Sequence, residues 1–217
     1  MGTEQTHDIS LEARRTKLRL YKNLETSIKR NTGKNIILYS GGIDCFVLAT
    51  YMASIGSSFE LLHIKHNKVH RAETEAAKRT ARILGSKLHV VEINSYADGY
   101  DFSPSFLTYI SVAEAIFHAE SGARLLIGII LDDHTGGVVQ GTQSYLFRVV
   151  NVIRLHGSSL CIDAPFDGWS KRDVLGLARE LNTPIRACSP CEDWSELCEC
   201  AICQDFLSVF VDKSVSS

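Results

Sequence analysis

Proline is scarce, with four in 217 residues, about a third of the usual share. That excludes a Pro-rich linker or a proline-driven disordered tract. Long apolar runs are also missing: the longest, Leu125 to Leu131, is far shorter than the ~20 residues a membrane-spanning helix needs. Nor is there an excess of one charge. Lys and Arg number 23 against 25 Asp and Glu, a net charge of −2, so no overall field draws the chain to nucleic acid or an acidic membrane. The opening MGTEQTHDIS lacks the basic and apolar regions of a secretion signal. A soluble cytoplasmic protein is expected, with neither membrane nor nucleic acid as partner.

What is present is unevenly placed. Hydrophobic residues make up 45% of the chain, enough for one core. Residues 8–30 hold seven basic and three acidic side chains, and Leu11, Leu18, Tyr21, Leu24 and Ile28 fall on one stripe of a helix. The spacing predicts an amphipathic helix that either packs on the body or serves as a basic arm. Gly2 to Thr6 fits the N-myristoylation pattern, which is too short to decide anything. The segment Cys188 to Asp205 has five acidic residues and no basic one. It also holds five of the seven cysteines, Cys188, Cys191, Cys198, Cys200 and Cys203. An odd total with one cluster points to metal binding in a reducing compartment, not to a disulfide framework.

Between these ends, short apolar runs alternate with helical patterns. Strands are predicted at Asn35–Tyr39, Phe59–His66, Lys87–Ile93, Arg124–Leu131 and Ser159–Ile162. Helices are predicted at Asp44–Ser54, along Val69 to Ile83, and at Phe106–Ala119, Gln143–Leu155 and Ser170–Leu181. This is the β-α-β pattern of an α/β domain with a parallel sheet and helices on both faces. Three regions follow: an N-terminal helix in 1–34, an α/β domain in 35–187 and a cysteine-rich segment in 188–217. In such sheets, ligands bind beyond the carboxyl ends of the strands.

At the first of those ends stands Ser40-Gly41-Gly42-Ile43-Asp44-Cys45. Paired glycines let backbone turn sharply and approach a ligand with no Cβ in the way, and the following helix aims its N–H groups and positive dipole end into the loop. It is neither a Walker A loop, since Gly33-Lys34 precedes the strand and lacks the hydroxyl residue, nor G-x-G-x-x-G. Further along, Asp132-Asp133 would end a central strand, where paired carboxylates can hold Mg²⁺ on phosphates. His70 and Glu73 sit one turn apart at a helix start, where a solvated pair is the usual case. Cys188-Ser-Pro-Cys191 and Cys200-Ala-Ile-Cys203 are two C-x-x-C pairs, the spacing that turns two sulfurs toward one tetrahedral Zn²⁺. Five acidic neighbours raise thiol pKa values, which fits redox cysteines poorly.

The Ser-Gly-Gly-x-Asp loop resembles that of the PP-loop ATP pyrophosphatases, with Cys45 where the family has Ser or Thr. Within that superfamily the chain looks most similar to QueC, the 7-cyano-7-deazaguanine synthases, from about Asn35 to Phe206. His70 and Glu73 match a His-x-x-Glu after the second strand, GIILDDHTGG over Gly128 to Gly137 matches a strand glycine and its acidic loop, and Pro165 and Lys171 match a P…K before the last helix. Two family motifs are lost: Arg-Asn after Pro104, and a Pro-Asp-Cys that Val138-Val139-Gln140 replaces. The resemblance implies the following: an ATP-dependent ligase adenylates a 7-deazaguanine carboxylic acid and passes the acyl group to ammonia or, in the antiphage (type IV CBASS) branch, to a protein amine. It implies ATP, Mg²⁺ and Zn²⁺ as cofactors and a homodimer. Ser40, Gly41, Gly42, Asp44 and Cys45 would hold phosphates. Asp132, Asp133 and Lys171 would line the pocket, with Gly128, and His70 and Glu73 would border the nucleotide. Zinc would take Cys191, Cys200 and Cys203, with a fourth ligand that is Cys198 by resemblance or Cys188 by C-x-x-C geometry. Two rivals stand beside this: a tRNA thiolase carrying sulfur on its C-x-x-C pairs, and an ATP-binding scaffold without turnover.

Overall fold

The computed structural model describes residues 18–29, 33–66, 71–93, 106–118, 120, 122–131, 143–184 and 187–188. Five strands form one sheet: β1 (Asn35–Leu38), β2 (Glu60–His66), β3 (Lys87–Ile93), β4 (Arg124–Ile127) and β5 (Cys161–Asp163), in the order β3-β2-β1-β4-β5. Every pairing is parallel, with Ile37 opposite Leu61 on one side and Leu126 on the other. The chain winds outward from β1 to β3, then returns to β4 beside β1. The order therefore reverses between β1 and β4, which opens a crevice beyond their carboxyl ends.

The central strands are apolar on both faces because helices cover both. Ile37, Leu61 and Leu126 point into one core with α1 (residues 18–29), α2 (Ile43–Ser54), α3 (Arg71–Leu84) and α6 (Lys171–Glu180). Their neighbours Ile36, Leu62 and Leu125 point the other way, onto α4 (Phe106–Phe117) and α5 (Gln143–Leu155). This is the three-layer α/β fold expected. No helix among the described residues is long and apolar enough to cross a membrane.

Helix α1 is packed: Leu24 and Ile28 are fully buried on the α2–α6 side. A long-range contact fixes its end. Arg124, 5% exposed at the start of β4, donates to the carbonyls of Ser27 (2.6 Å) and Ile28 (3.2 Å), to Asn35 Oδ1 and to Asp163. A guanidinium on the last carbonyls of a helix satisfies acceptors that have no partner within it and opposes the dipole. Residues 8–17 and 30 of the expected helix lie outside the described residues.

Most boundaries fall within a residue or two of expectation, and the fourth strand differs most. The fourth strand stops at Ile127 instead of Leu131, because Gly128 lies against the first turn of α2 and cannot continue a ladder there. The fifth strand starts at Cys161 and includes Asp163, and the fourth helix ends at Phe117 instead of Ala119.

Candidate functional site

The loop Ser40–Gly42 leaves β1 at the edge of the switch-point crevice. Gly41 has φ +97°, a conformation that L side chains rarely adopt, and a Cβ there would sit 3.0 Å from Glu73 Cα and 3.1 Å from its carbonyl oxygen. Glycine is required twice over, by conformation and by the close approach of α3. Gly42 is the N-cap of α2 and supplies no side chain to cap it; the Gly42 N–H reaches back to Ser40 Oγ at 3.4 Å. Helix α6 is the contrast, since Ser170 and Asp173 close a reciprocal capping box. An N-terminus with no side-chain cap, opening beside a glycine turn, is suited to an anion.

Asp44 and Lys171 meet across this opening. Lys171 Nζ donates to Asp44 Oδ1 at 2.8 Å and Oδ2 at 2.7 Å. Asp44 lies in the first turn of α2 and Lys171 is the first residue of α6, so each is delivered by a helix start. The capping box orients α6, and the Leu131 N–H bonded to the Trp169 carbonyl (2.8 Å) ties that start to the chain beyond β4. Because the lysine side chain is 41% exposed and the aspartate 21%, solvent screening leaves such a pair worth ~0–1 kcal/mol. It therefore adds little to folding while placing a cation and a carboxylate beside the loop.

The Cys45 sulfur sits between the backbone of Ser40, at the start of the loop, and that of Gly128 beyond β4. It is buried, its thiol donates to the Leu38 carbonyl at 3.2 Å, and burial, then the Asp44 charge, push it up to about 12. The thiol expected beside the phosphates thus spends its proton on a strand carbonyl. Successive helical residues point about 100° apart, so with Asp44 facing Lys171, Cys45 faces β4. Gly128 answers it: a Cβ at 128 would lie 2.7 Å from Cys45 Sγ and 3.1 Å from the Cys45 nitrogen. Gly128 thus lets the helix start approach the strand end, a packing role not anticipated for it.

Of the remaining expected residues, Glu73 is brought to the loop through its backbone. His70, Asp132 and Asp133 lie outside the described residues, as do Cys191, Cys198, Cys200 and Cys203. Cys188 is described. It is fully buried in the same core as Phe46 and Trp169, and burial pushes its thiol up to about 12. Among the described residues no three His, Cys, Asp or Glu side chains gather as a metal site.

One residue was missed from sequence. His63 of β2, with no exposure, bonds the Tyr39 carbonyl and Thr74 Oγ1, each at 2.9 Å. A histidine in ELLHIKH gives no sign of such partners, because neither is near it in sequence.

The family profile described as "Queuosine biosynthesis protein QueC" matches residues 34–108. A 7-cyano-7-deazaguanine synthase 1 from Sphingopyxis alaskensis is 26% identical over 191 residues, which cover 75% of this chain and 85% of that protein. Among solved structures, a U34-tRNA thiolase from Methanococcus maripaludis superposes with a TM-score of 0.57 at 16% identity, over 92% of this chain and 72% of that one. An NH3-dependent NAD synthetase from Campylobacter jejuni gives 0.56 at 14%, over 80% and 75%. At such identities the structures speak for the fold alone, a parallel α/β sheet. The sequence matches go further: this chain is similar to 7-cyano-7-deazaguanine synthases at 25–27% identity and to QueC over residues 34–108, a divergent likeness.

Proposed function

We propose that the protein is an ATP-dependent, AMP-forming ligase acting on 7-carboxy-7-deazaguanine or a similar planar acid. The observation that carries the reading is the glycine loop and uncapped α2 start at the β1/β4 switch point, with Lys171 and Asp44 across the opening, in a QueC-like chain. The substrate carboxylate oxygen attacks the α-phosphorus of ATP, and pyrophosphate leaves into the loop. An amine then attacks the acyl carbon, loses a proton, and AMP departs with the electron pair of the broken C–O bond. Lys171 balances charge that builds on the phosphates, and the N–H groups of α2 hold the pyrophosphate.

Mg²⁺ fits the donor set at the loop, because the Asp44 carboxylate is a hard oxygen ligand of the kind this ion takes. It would supply charge neutralisation on the β- and γ-phosphates. Asp132 and Asp133 are its further proposed ligands. For Zn²⁺ the sulfur donors of the tail fit in number and spacing. Four of Cys188, Cys191, Cys198, Cys200 and Cys203 are the proposed set. Zinc there would pin the tail beside the ATP site.

The acceptor is ammonia or a protein amine. The loss of the Arg-Asn and Pro-Asp-Cys motifs favours a change in base recognition or in the second half of the reaction. A homodimer and a role in antiphage defence remain proposals of the resemblance. The decisive assay incubates protein, ATP, Mg²⁺ and 7-carboxy-7-deazaguanine with ammonium. AMP and pyrophosphate above the acid-free control are expected, and their absence sinks the ligase reading. The C-x-x-C pairs favour one alternative, a sulfur-carrying thiolase. One tightly held zinc per chain with unreactive tail thiols excludes it.

A further inference from the structure

We infer that His63 is a positioning residue for the glycine loop, tying the loop's entry to the start of α3 through both nitrogens of a buried imidazole. Tyr39 stands one residue beyond β1 and one before Ser40. Its carbonyl accepts from His63 Nδ1 at 2.9 Å, and His63 Nε2 lies 2.9 Å from Thr74 Oγ1. A carbonyl can only accept, so Nδ1 carries the proton. In the neutral ring Nε2 then accepts from the Thr74 hydroxyl. The other tautomer would set two lone pairs against each other at Tyr39.

Two further contacts run between the same parts. The Tyr39 hydroxyl pairs with Thr80 Oγ1 at 2.7 Å in the buried interior. Gly41 meets the backbone of Glu73, the neighbour of Thr74. Residues 39–41 are thus joined to α3 by a main-chain carbonyl, a side chain and a glycine contact, and His63 grips the Tyr39 carbonyl where the main chain leaves the strand, beside the Tyr39 N–H bonded to the Leu62 carbonyl at 2.8 Å. A fully buried imidazole is costly unless both nitrogens are paired. An aliphatic residue would fill this strand position without that cost, but it could not hold the carbonyl.

That the loop receives phosphates rests on the proposed ATP site; that His63 orders the loop does not, and the experiment separates the two. Backbone ¹⁵N order parameters of Gly41, Gly42 and Asp44 are measured in the full-length, nucleotide-free protein. His63→Asn keeps an N–H donor near Nδ1, His63→Gln keeps only a group near Nε2, and His63→Leu keeps neither. Values of about 0.85 in the wild type are expected to fall below about 0.6 in the Leu and Gln variants. They should recover in Asn, while α6 is unchanged in all three. In the AMP-release assay the KM for ATP should rise on the order of tenfold in Leu and Gln, with kcat less affected. If His63→Leu does not fold, the Gln variant carries the test alone, with the same drop in loop order expected. Loop order equal to wild type in the Leu or Gln protein, or no recovery in Asn, overturns the inference. Failure of the wild type to bind ATP sinks the nucleotide reading while leaving the order parameters to decide on His63.

Discussion

The two ends of the sheet both concentrate charge, and they use it in opposite ways. At the amino end Arg124 serves four acceptors, Lys34 pairs with Glu60 (3.2 Å) and Glu120 (2.7 Å), and His89 Nε2 lies 2.6 Å from Glu60. Gly33 and Gly122 meet there so closely that a Cβ at 33 would fall 2.0 Å from the Gly122 carbonyl oxygen. At the carboxyl end the half-exposed Lys171 faces the Asp44 carboxylate between two helix starts. Groups with many partners fixed in place hold elements together, whereas a screened pair beside a glycine turn stays open to exchange its partner for a ligand.

The largest expected effect tests the carboxyl end. Lys171→Ala should lower AMP release by roughly 10²–10³-fold, the scale for removing one charge-stabilising group, while the thermal midpoint stays nearly unchanged. A melting point that collapses together with activity would erase the contrast. Next comes the amino end. Arg124→Met leaves two helix carbonyls, Asn35 and Asp163 without their donor and should cost about 2–4 kcal/mol in urea unfolding, with the KM for ATP unchanged.

The smallest effect concerns acid stability. Burial opposes ionisation of Glu60, but hydrogen bonds from His89 and Lys34 and the charges of Lys34 and Lys87 outweigh it, so its pKa is lowered on folding. That contribution is complete above the unfolded carboxylate value and fades as pH falls through the folded one. Glu60→Gln should therefore flatten the acid limb of the stability–pH curve and leave its neutral region nearly level.

The alternation of strands and helices was readable because both periods are local, and Ser40–Asp44 was readable because the turn demands glycines. The rest depends on partners distant in sequence. Arg124 opens an apolar run and reads as an ordinary strand start; only the fold puts the end of α1 beside it. Cys45 was read by its place in a motif, but the side chain's direction is set by where Asp44 must point. Gly128 looked like part of a strand, and the approach of α2 that ends the strand there is a tertiary fact.

The central position of β1 also governs the order in which the molecule can be built. Its β4 partner and the arginine that fastens α1 lie about 90 residues downstream. During synthesis the apolar face of α1, with Leu24 and Ile28, must wait for them, and half of the glycine loop's surroundings waits as well. Non-local parallel pairing of this kind folds slowly and leaves apolar surface exposed in the interval. The nascent chain is therefore most vulnerable to aggregation before β4 emerges, when the loop that defines the protein already exists but has no crevice to face.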